Sequence, residues 1–403
     1  MSGVAPPGGR PPPEAYGAAL AALPGIGPAT LTSLIRRWGP EGAWKAVSRG
    51  ARGAESSVGS PDAGGSVLRS EWSEMAQRTD VSDRWRKLVE SGIGVSHLGG
   101  QGYPAHLIDD PHPPGVLFYR GRLDALDRLC LAIVGTRRCT HYGRDVAREL
   151  ARDLATSGIC VVSGLALGID AAAHAGALES GEPAATVGVA ASGVDVPYPR
   201  RHADLWGRVA GSGAVISESP PGAQAQAWRF PSRNRIIAGL TQGIIVVESA
   251  AAGGSMLTVR AAVDRGREVM AVPGPVSSPV SAGTNQLLSE GVGMVRHVAD
   301  VLDCLGRFGA APVPAGPVDP QAVTARARRV LSAVDWTPTR TGEILRRCGM
   351  GLQQVSTELH RLAQRGLVAG GEGWWERRRP APPASPPPTR PPRRLAGPVE
   401  PLP

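Results

Sequence analysis

Lysine is almost missing from these 403 residues: Lys45 and Lys87 stand alone beside abundant arginine and alanine. The imbalance reads as genome composition bias and carries no functional signal. Cysteine is sparse too. Cys130, Cys139, Cys160, Cys304 and Cys348 are odd in number, show no C-x-x-C spacing and fall mostly in apolar surroundings, so they read as core thiols in a reducing cytoplasm. No run of about eighteen apolar residues occurs, and the Pro/Gly-rich amino terminus lacks an apolar h-region; neither membrane spanning nor secretion is indicated. Gly135 opens a strand-to-helix turn, but the Thr136-Arg137-Arg138 that follows does not give G-x-G-x-x-G, and no G-x-x-x-x-G-K-[ST] occurs. Dinucleotide binding and ATP hydrolysis are therefore disfavoured, and no cofactor is expected. His174 has no companions at metal-ligand spacing and reads as a buried helix residue, so no metal site is expected either.

Charge is present but unevenly placed. The net charge is +9, yet acids and bases cancel between Leu131 and Asp303, and most of the surplus lies in Arg377-Arg-Arg379 and the Arg390, Arg393, Arg394 tail. Any polyanion site in the middle of the chain must come from local arrangement.

Composition divides the chain. Residues 1–13 form a Pro/Gly-rich flexible start; 14–112 look helical, broken by a Gly/Ser/Pro-rich stretch near 52–67 expected to be disordered. Residues 113–303 alternate short apolar runs with amphipathic helices. A linker spans 304–319, a small helical module 320–377, and a Pro/Arg-rich tail with no means of building a core 378–403. In the middle part the strand candidates are Leu131–Val134, Ile159–Ser163, Ala184–Val189, Ala214–Glu218, Gly243–Glu248 and Glu268–Val272. Runs apolar throughout imply burial on both faces, and alternation with helices implies parallel pairing: an α/β fold with an extended Rossmann-like, doubly wound, mostly parallel sheet.

Ligands of such sheets sit beyond the carboxyl ends of the strands. There this chain carries Gly135-Thr-Arg-Arg138, Ser163-Gly-Leu-Ala-Leu-Gly168, Ala190–Arg201 with Tyr198-Pro-Arg-Arg201, the Phe230 to Arg235 segment and Ala252-Gly-Gly-Ser255. Glycines permit close backbone approach to phosphates and arginines supply forked donors, so the five loops together predict a phosphate-contacting rim. The Phe230-Pro-Ser-Arg-Asn-Arg-Ile-Ile-Ala-Gly-Leu240 segment enters a helix, where unpaired N–H groups favour an anion. Structural ion pairing of Arg233 and Arg235 with carboxylates is the alternative.

The ordered set Ile133-Val-Gly-Thr-Arg137, Ser163-Gly-Leu-Ala-Leu-Gly-Ile-Asp170, Val194-Asp-Val-Pro-Tyr-Pro199, Phe230 to Leu240, Gly254-Ser-Met-Leu-Thr258 and Val272-Pro-Gly274 resembles the DNA-processing protein DprA, or Smf, family over about Pro104 to Asp303. The resemblance implies a binding protein rather than an enzyme, one that holds single-stranded DNA, helps load the RecA recombinase onto it in natural transformation, and dimerises through its middle domain. It carries DNA contact to Gly135, Thr136, Arg137, Ser163, Gly164, Arg200, Phe230, Arg233, Asn234 and Arg235, with Gly253, Gly254 and Ser255 as possible phosphate contacts. Single-strand binding without sequence preference needs cations for phosphates and a ring face for a base; Phe230 suits either that platform or a core plug. The chain departs from the family pattern at Ala190-Ala-Ser-Gly-Val-Asp195, at Gly253-Gly-Ser255, and at Arg200, where lysine is common.

Two flanking motifs join these. Leu23-Pro-Gly-Ile-Gly-Pro-Ala29 resembles a helix-hairpin-helix turn, structural or DNA-contacting. Thr339–Cys348, Leu352–Arg365 and Leu367–Trp375 read as a winged helix with Gln353, Gln354, Thr357, His360 and Arg361 on the exposed face of its second helix, either a duplex reader or a solvated face. A competing enzyme class, phosphoribohydrolases on a related sheet, uses a Gly-Gly-x-Gly-Thr-x-x-Glu loop. The matching stretch here is Gly253-Gly-Ser-Met-Leu-Thr-Val-Arg260, with arginine where the carboxylate would sit, leaving Glu248 and Asp170 as substitutes.

Overall fold

The computed structural model describes residues 10–50, 63–305, 325–364, 367–371 and 373–377. Most of the stretch near 52–67, most of the linker and the Pro/Arg tail lie outside them; residues 63–67 open a helix, Ala63–Arg78. The chain forms two compact units, Met1–Pro312 and Val313–Pro403.

A sheet of nine described strands organises the first unit. In chain order these are β1 (Gly94–His97), β2 (Val116–Gly121), β3 (Cys130–Val134), β4 (Cys160–Ser163), β5 (Thr186–Val189), β6 (Ala214–Ser217), β7 (Gly243–Val246), β8 (Glu268–Ala271) and β9 (Gly293–Met294). Their spatial order is β1-β2-β6-β5-β4-β3-β7-β8-β9. Pairing from β6 through β9 is parallel, while β1 with β2 and β2 with β6 pair antiparallel. The six strands expected from two-sided apolar runs are present, and β1, β2 and β9 extend the sheet at its edges. Strand order reverses beside β3, whose neighbours are β4 and β7; this is the switch point at which doubly wound sheets open a crevice.

Alternation along β3 shows how the faces are filled. Ala132 and Val134 face one buried layer with Ile236, Ile237 and Leu240, whereas Leu131 and Ile133 face the other with Leu150, Leu154 and Ile169. Among the described residues the α-helices up to β7 are, in chain order, α1 (Pro13–Ala21), α2 (Pro28–Ser48), α3 (Ala63–Arg78), α4 (Val81–Glu90), α5 (His141–Thr156), α6 (Ile169–Glu179), α7 (Ala203–Ser212) and α8 (Arg229–Leu240). The first of the two layers comes from α8, the second from α5 and α6. Each fully buried aliphatic side chain stabilises by about 1.5–3 kcal/mol, so these layers dominate the fold's stability. A third cluster joins the amino-terminal helices α1 (Pro13–Ala21) and α2 (Pro28–Ser48) to the sheet: Leu20, Leu31 and Ile35 pack with Phe118, Leu165, Ala190 and Val194. The Leu23–Gly27 hairpin between those helices is held by Trp72, whose indole N–H donates to the Pro24 carbonyl at 2.7 Å.

In the second unit a helix (Ala325–Ala333), a short strand (Thr339–Arg340), two helices (Thr341–Cys348 and Leu352–Gln364) and a hairpin (Val368–Gly371, Trp374–Arg377) enclose Val330, Ile344, Val355, Leu359, Leu362 and Trp375. Gln354, Thr357 and Arg361 of the expected reading face are exposed, Arg361 bonding Glu358 at 3.1 Å; the side chains of Gln353 and His360 lie outside the described residues.

One buried ion pair clamps the segment before β2 to the sheet layer. Arg265 donates to Asp110 through Nε at 2.7 Å and Nη2 at 3.0 Å, with both side chains almost sealed. Burial alone would raise the Asp110 pKa, but Arg265 and the His112 N–H outweigh it and hold the carboxyl below its ordinary value. A depressed folded-state value means the pair's contribution is complete above about pH 3.9 and fades as pH falls through the folded value. Asp110→Ala, which strands the arginine, is expected to cost about 3–5 kcal/mol in urea unfolding at pH 7, and Asp110→Asn to flatten the acid limb of the stability curve. A loss below about 1 kcal/mol in the alanine variant would contradict the clamp.

Candidate nucleic-acid interface

Because β3 to β8 run parallel in register, the loops after them leave one edge of the sheet. The loop after β3 is pinned from both sides. Thr136 N–H donates to the Glu248 carbonyl at 2.7 Å, and the Thr136 carbonyl accepts from Ile169 N–H at 3.3 Å. Gly135 is required by closeness: a Cβ there would lie 2.6 Å from Ile169 Cγ1 and 2.7 Å from the Glu248 carbonyl oxygen. So fixed, the loop presents Arg137 and Arg138 to solvent.

Arg137 stands over Phe230, its guanidinium carbon 4.7 Å from the ring centroid. Tyr198 closes on the same ring, centroids 5.7 Å apart and planes at 58°, a tilted geometry aromatic pairs favour. Three segments distant in sequence, two loops and the start of α8, thus meet at one half-open aromatic hollow, which Gly164, Ala190, Ala191 and Trp206 complete. Phe230 is half-buried.

The other expected contacts divide. Arg233 is only 5 % exposed. Its Nη1 donates to the Val189 carbonyl at 2.7 Å, and it passes so close to Gly164 that a Cβ there would fall 1.9 Å from Nη1. Burial pulls Arg233 down to about 10, with Arg137 adding to the effect and Asp170 opposing it; the guanidinium is still charged at neutral pH. Burial pushes the neighbouring Asp170 carboxyl up, against Arg233 and Arg137. Ser163 turns its hydroxyl inward to the Ile133 carbonyl at 2.6 Å. Arg235 is committed to Glu218 and the His112 carbonyl, as the ion-pairing alternative supposed. Asn234 is half-buried and Arg200 exposed. Ser255 bonds Ser249 Oγ at 2.8 Å, and a Cβ on Gly253 would meet that same oxygen at 2.5 Å; Gly254 caps the helix Ser255–Val263. That loop offers an anion its backbone more than its hydroxyl.

Sequence reasoning missed a cleft on this edge. A cleft of about 390 Å³ is lined by Arg137, Arg138, Arg144, Arg148, Arg201 and His202 above an alanine floor supplied by α6. Arg148 is bonded to Glu179 at 2.8 Å. Arg201, rather than the expected Arg200, faces the cleft. The signal for Arg144 and Arg148 was their spacing of four on the helix that leaves the Gly-Thr-Arg loop, which puts both on one helix face.

Carboxylates are placed for structure. Glu248 is sealed at the start of α5, one oxygen accepting from Thr140 N–H at 2.9 Å and the other from its hydroxyl. Asp170 is buried beside Arg233. Neither substitutes for the missing acid of a phosphoribohydrolase. Buried His174 pairs through Nδ1 with Thr186 Oγ1 at 2.7 Å, and burial lowers its pKa to about 3, so it is neutral. Among the described residues no cluster of His, Cys, Asp or Glu is placed to hold a metal ion, and no helix is long and apolar enough to cross a membrane.

The profile of the family described as DNA recombination-mediator protein A matches residues 95–306. Protein Smf of Escherichia coli is 37 % identical over 274 residues, 66 % of this chain and 72 % of that one. The DNA processing protein DprA of Bacillus subtilis is 35 % identical, over 59 % of this chain and 82 % of that one. The X-ray structure of DNA processing protein A from Streptococcus pneumoniae superposes with a TM-score of 0.61 at 29 % identity, covering 72 % of this chain and 96 % of that one.

Interior and surface arginines should separate in stability. Arg233→Met leaves the Val189 carbonyl and Asp170 without their cation and is expected to cost about 3–5 kcal/mol, whereas Arg137→Ala should change stability by less than about 1 kcal/mol. Equal denaturation midpoints for the two variants would contradict the assignment.

Proposed function

As the chain belongs to the DNA recombination-mediator protein A family, we propose that it binds single-stranded DNA without sequence preference along the loop edge of its parallel sheet and helps load RecA recombinase onto that strand. The family consists of DNA-binding recombination mediators rather than enzymes. The observation that carries the reading is the meeting of Arg137, Tyr198 and Phe230 beside the arginine cleft. Cations fit phosphates, and a ring face accepts any base, which is the chemistry of sequence-tolerant binding.

Roles follow from exposure. Gly135 and Thr136 hold the first loop; Arg137, Arg200, Arg201 and Arg144 reach phosphates; Phe230 and Tyr198 stack a base; Asn234 serves the same rim. Ser163, Gly164, Arg233 and Arg235 set the floor on which those groups stand, and Gly253, Gly254 and Ser255 contribute a further turn for phosphate. The protein works in the cytoplasm, in natural transformation or recombination, as a homodimer built on the domain of residues 113–303. The module of residues 320–377 acts as a winged helix on DNA, aided by the basic tail. No stretch is identified as the RecA docking surface; recovery of RecA in a pull-down with the full chain, with and without single-stranded DNA, tests that part, and absence in both refutes it.

Arg137→Ala with Arg201→Ala should weaken binding of an oligothymidylate at least about tenfold and lower the slope of log affinity against log salt by about 1.4, since each phosphate contact on a single strand contributes about 0.7. Fluorescence anisotropy at four salt concentrations measures both. Unchanged affinity would remove the arginine rim from the binding site.

A further inference from the structure

Three hollows on the loop edge are contiguous. The arginine cleft and the aromatic hollow share Arg137 and Leu167; the aromatic hollow and a third one share Ala190 and Ala191. The third lies between the sheet edge and the amino-terminal hairpin, with Ile26, Pro28 and Leu31 on one wall and Trp228 and Arg229 on the other. Trp228 is 53 % exposed, the largest ring so open on this edge. Its indole N–H donates to Gln226 Oε1 at 2.7 Å, which fixes the ring, and the Arg229 guanidinium lies 4.8 Å from the ring centroid.

Charge decides what the third hollow holds. The cleft at the far end gathers five arginines, which suits phosphates. The third hollow sets Arg229, which donates to Ser219 Oγ, and Arg233, which donates to the Val189 carbonyl, against Glu218, itself bonded to Arg235; Pro220, aliphatic side chains and the Trp228 indole make up the rest of its wall. With its two arginines already donating to partners inside the fold and a carboxylate beside them, the hollow offers a phosphate less than the cleft does, and its indole offers a ring face for a base.

We propose that this third hollow is a further nucleotide subsite, in which a base of the bound single strand stacks on Trp228 against the Ile26–Pro28 wall of the amino-terminal hairpin. The inference rests on the single-strand reading above and extends it: the hairpin acts as a wall of the strand's path, and the number of nucleotides covered is set by Trp228.

The test is a ladder of oligothymidylates of increasing length, titrated by anisotropy against the full chain, Trp228→Ala, Trp228→Tyr and Ile26→Glu, with thermal melting confirming that each is folded. With Trp228→Ala the affinity for long oligomers should fall by about 5- to 100-fold while that for the shortest bound oligomers stays within about twofold. Trp228→Tyr should retain most of the affinity, Ile26→Glu should lower the same plateau, and the salt slope should be unchanged, since stacking releases no counterion. A Trp228→Ala loss equal at all lengths, or no loss, overturns the subsite while leaving the arginine rim intact. Failure of the unaltered chain to bind at any length overturns the subsite and the single-strand reading together.

Discussion

A charged guanidinium sealed beneath a glycine is the constraint on which the loop edge depends. Arg233 crosses from α8 under Gly164, at the end of β4, to the carbonyl of Val189, at the end of β5, and lies beside Asp170 of α6. A buried cation that lost these partners would carry a desolvation penalty of several kcal/mol, so the elements move together or not at all. The glycine is as necessary as the arginine, because no Cβ fits where the guanidinium passes. Phe230 sits one helical turn before Arg233 on the same helix, so fixing one places the other.

This division between interior and surface cations explains how a region with no net charge presents an electropositive cleft. Arg233, Arg235 and Arg265 face Asp170, Glu218 and Asp110 inside, and the arginines of the first loop, of α5 and of the Tyr-Pro segment collect outside. Local concentration, not the overall +9, makes the field that a polyanion would meet. The basic surplus at the carboxy terminus lies outside this region, and the cleft draws its lining from within it.

Much of the fold was legible because buried parallel strands read as unbroken apolar runs: all six such segments are strands. β1 (Gly-Val-Ser-His) and the two-residue β9 are not unbroken apolar runs, and β2 follows a proline-rich stretch without the helical alternation that marked the others. Site placement was legible at the level of loops, since parallel register alone carries Gly135, Ser163, Tyr198, Phe230 and Gly253 to one edge. Side-chain direction was not. Arg233 and Arg235 share a motif with Phe230 and share its helix, yet packing turns both inward, which spacing does not reveal. Arg144 and Arg148 drew no reading from the sequence, because the alanine face that α6 brings opposite them is a matter of tertiary packing. The carboxylates were legible as candidates but not as structural groups, because the partner of Glu248 lies 108 residues away.

The most direct test is where a strand touches the chain. An oligonucleotide carrying photoreactive halogenated uracil at successive positions, crosslinked to the full protein and mapped by mass spectrometry, should place its adducts on peptides containing Tyr198, Phe230 and Trp228. Adducts confined to residues beyond 312, with none between residues 135 and 235, would contradict the account.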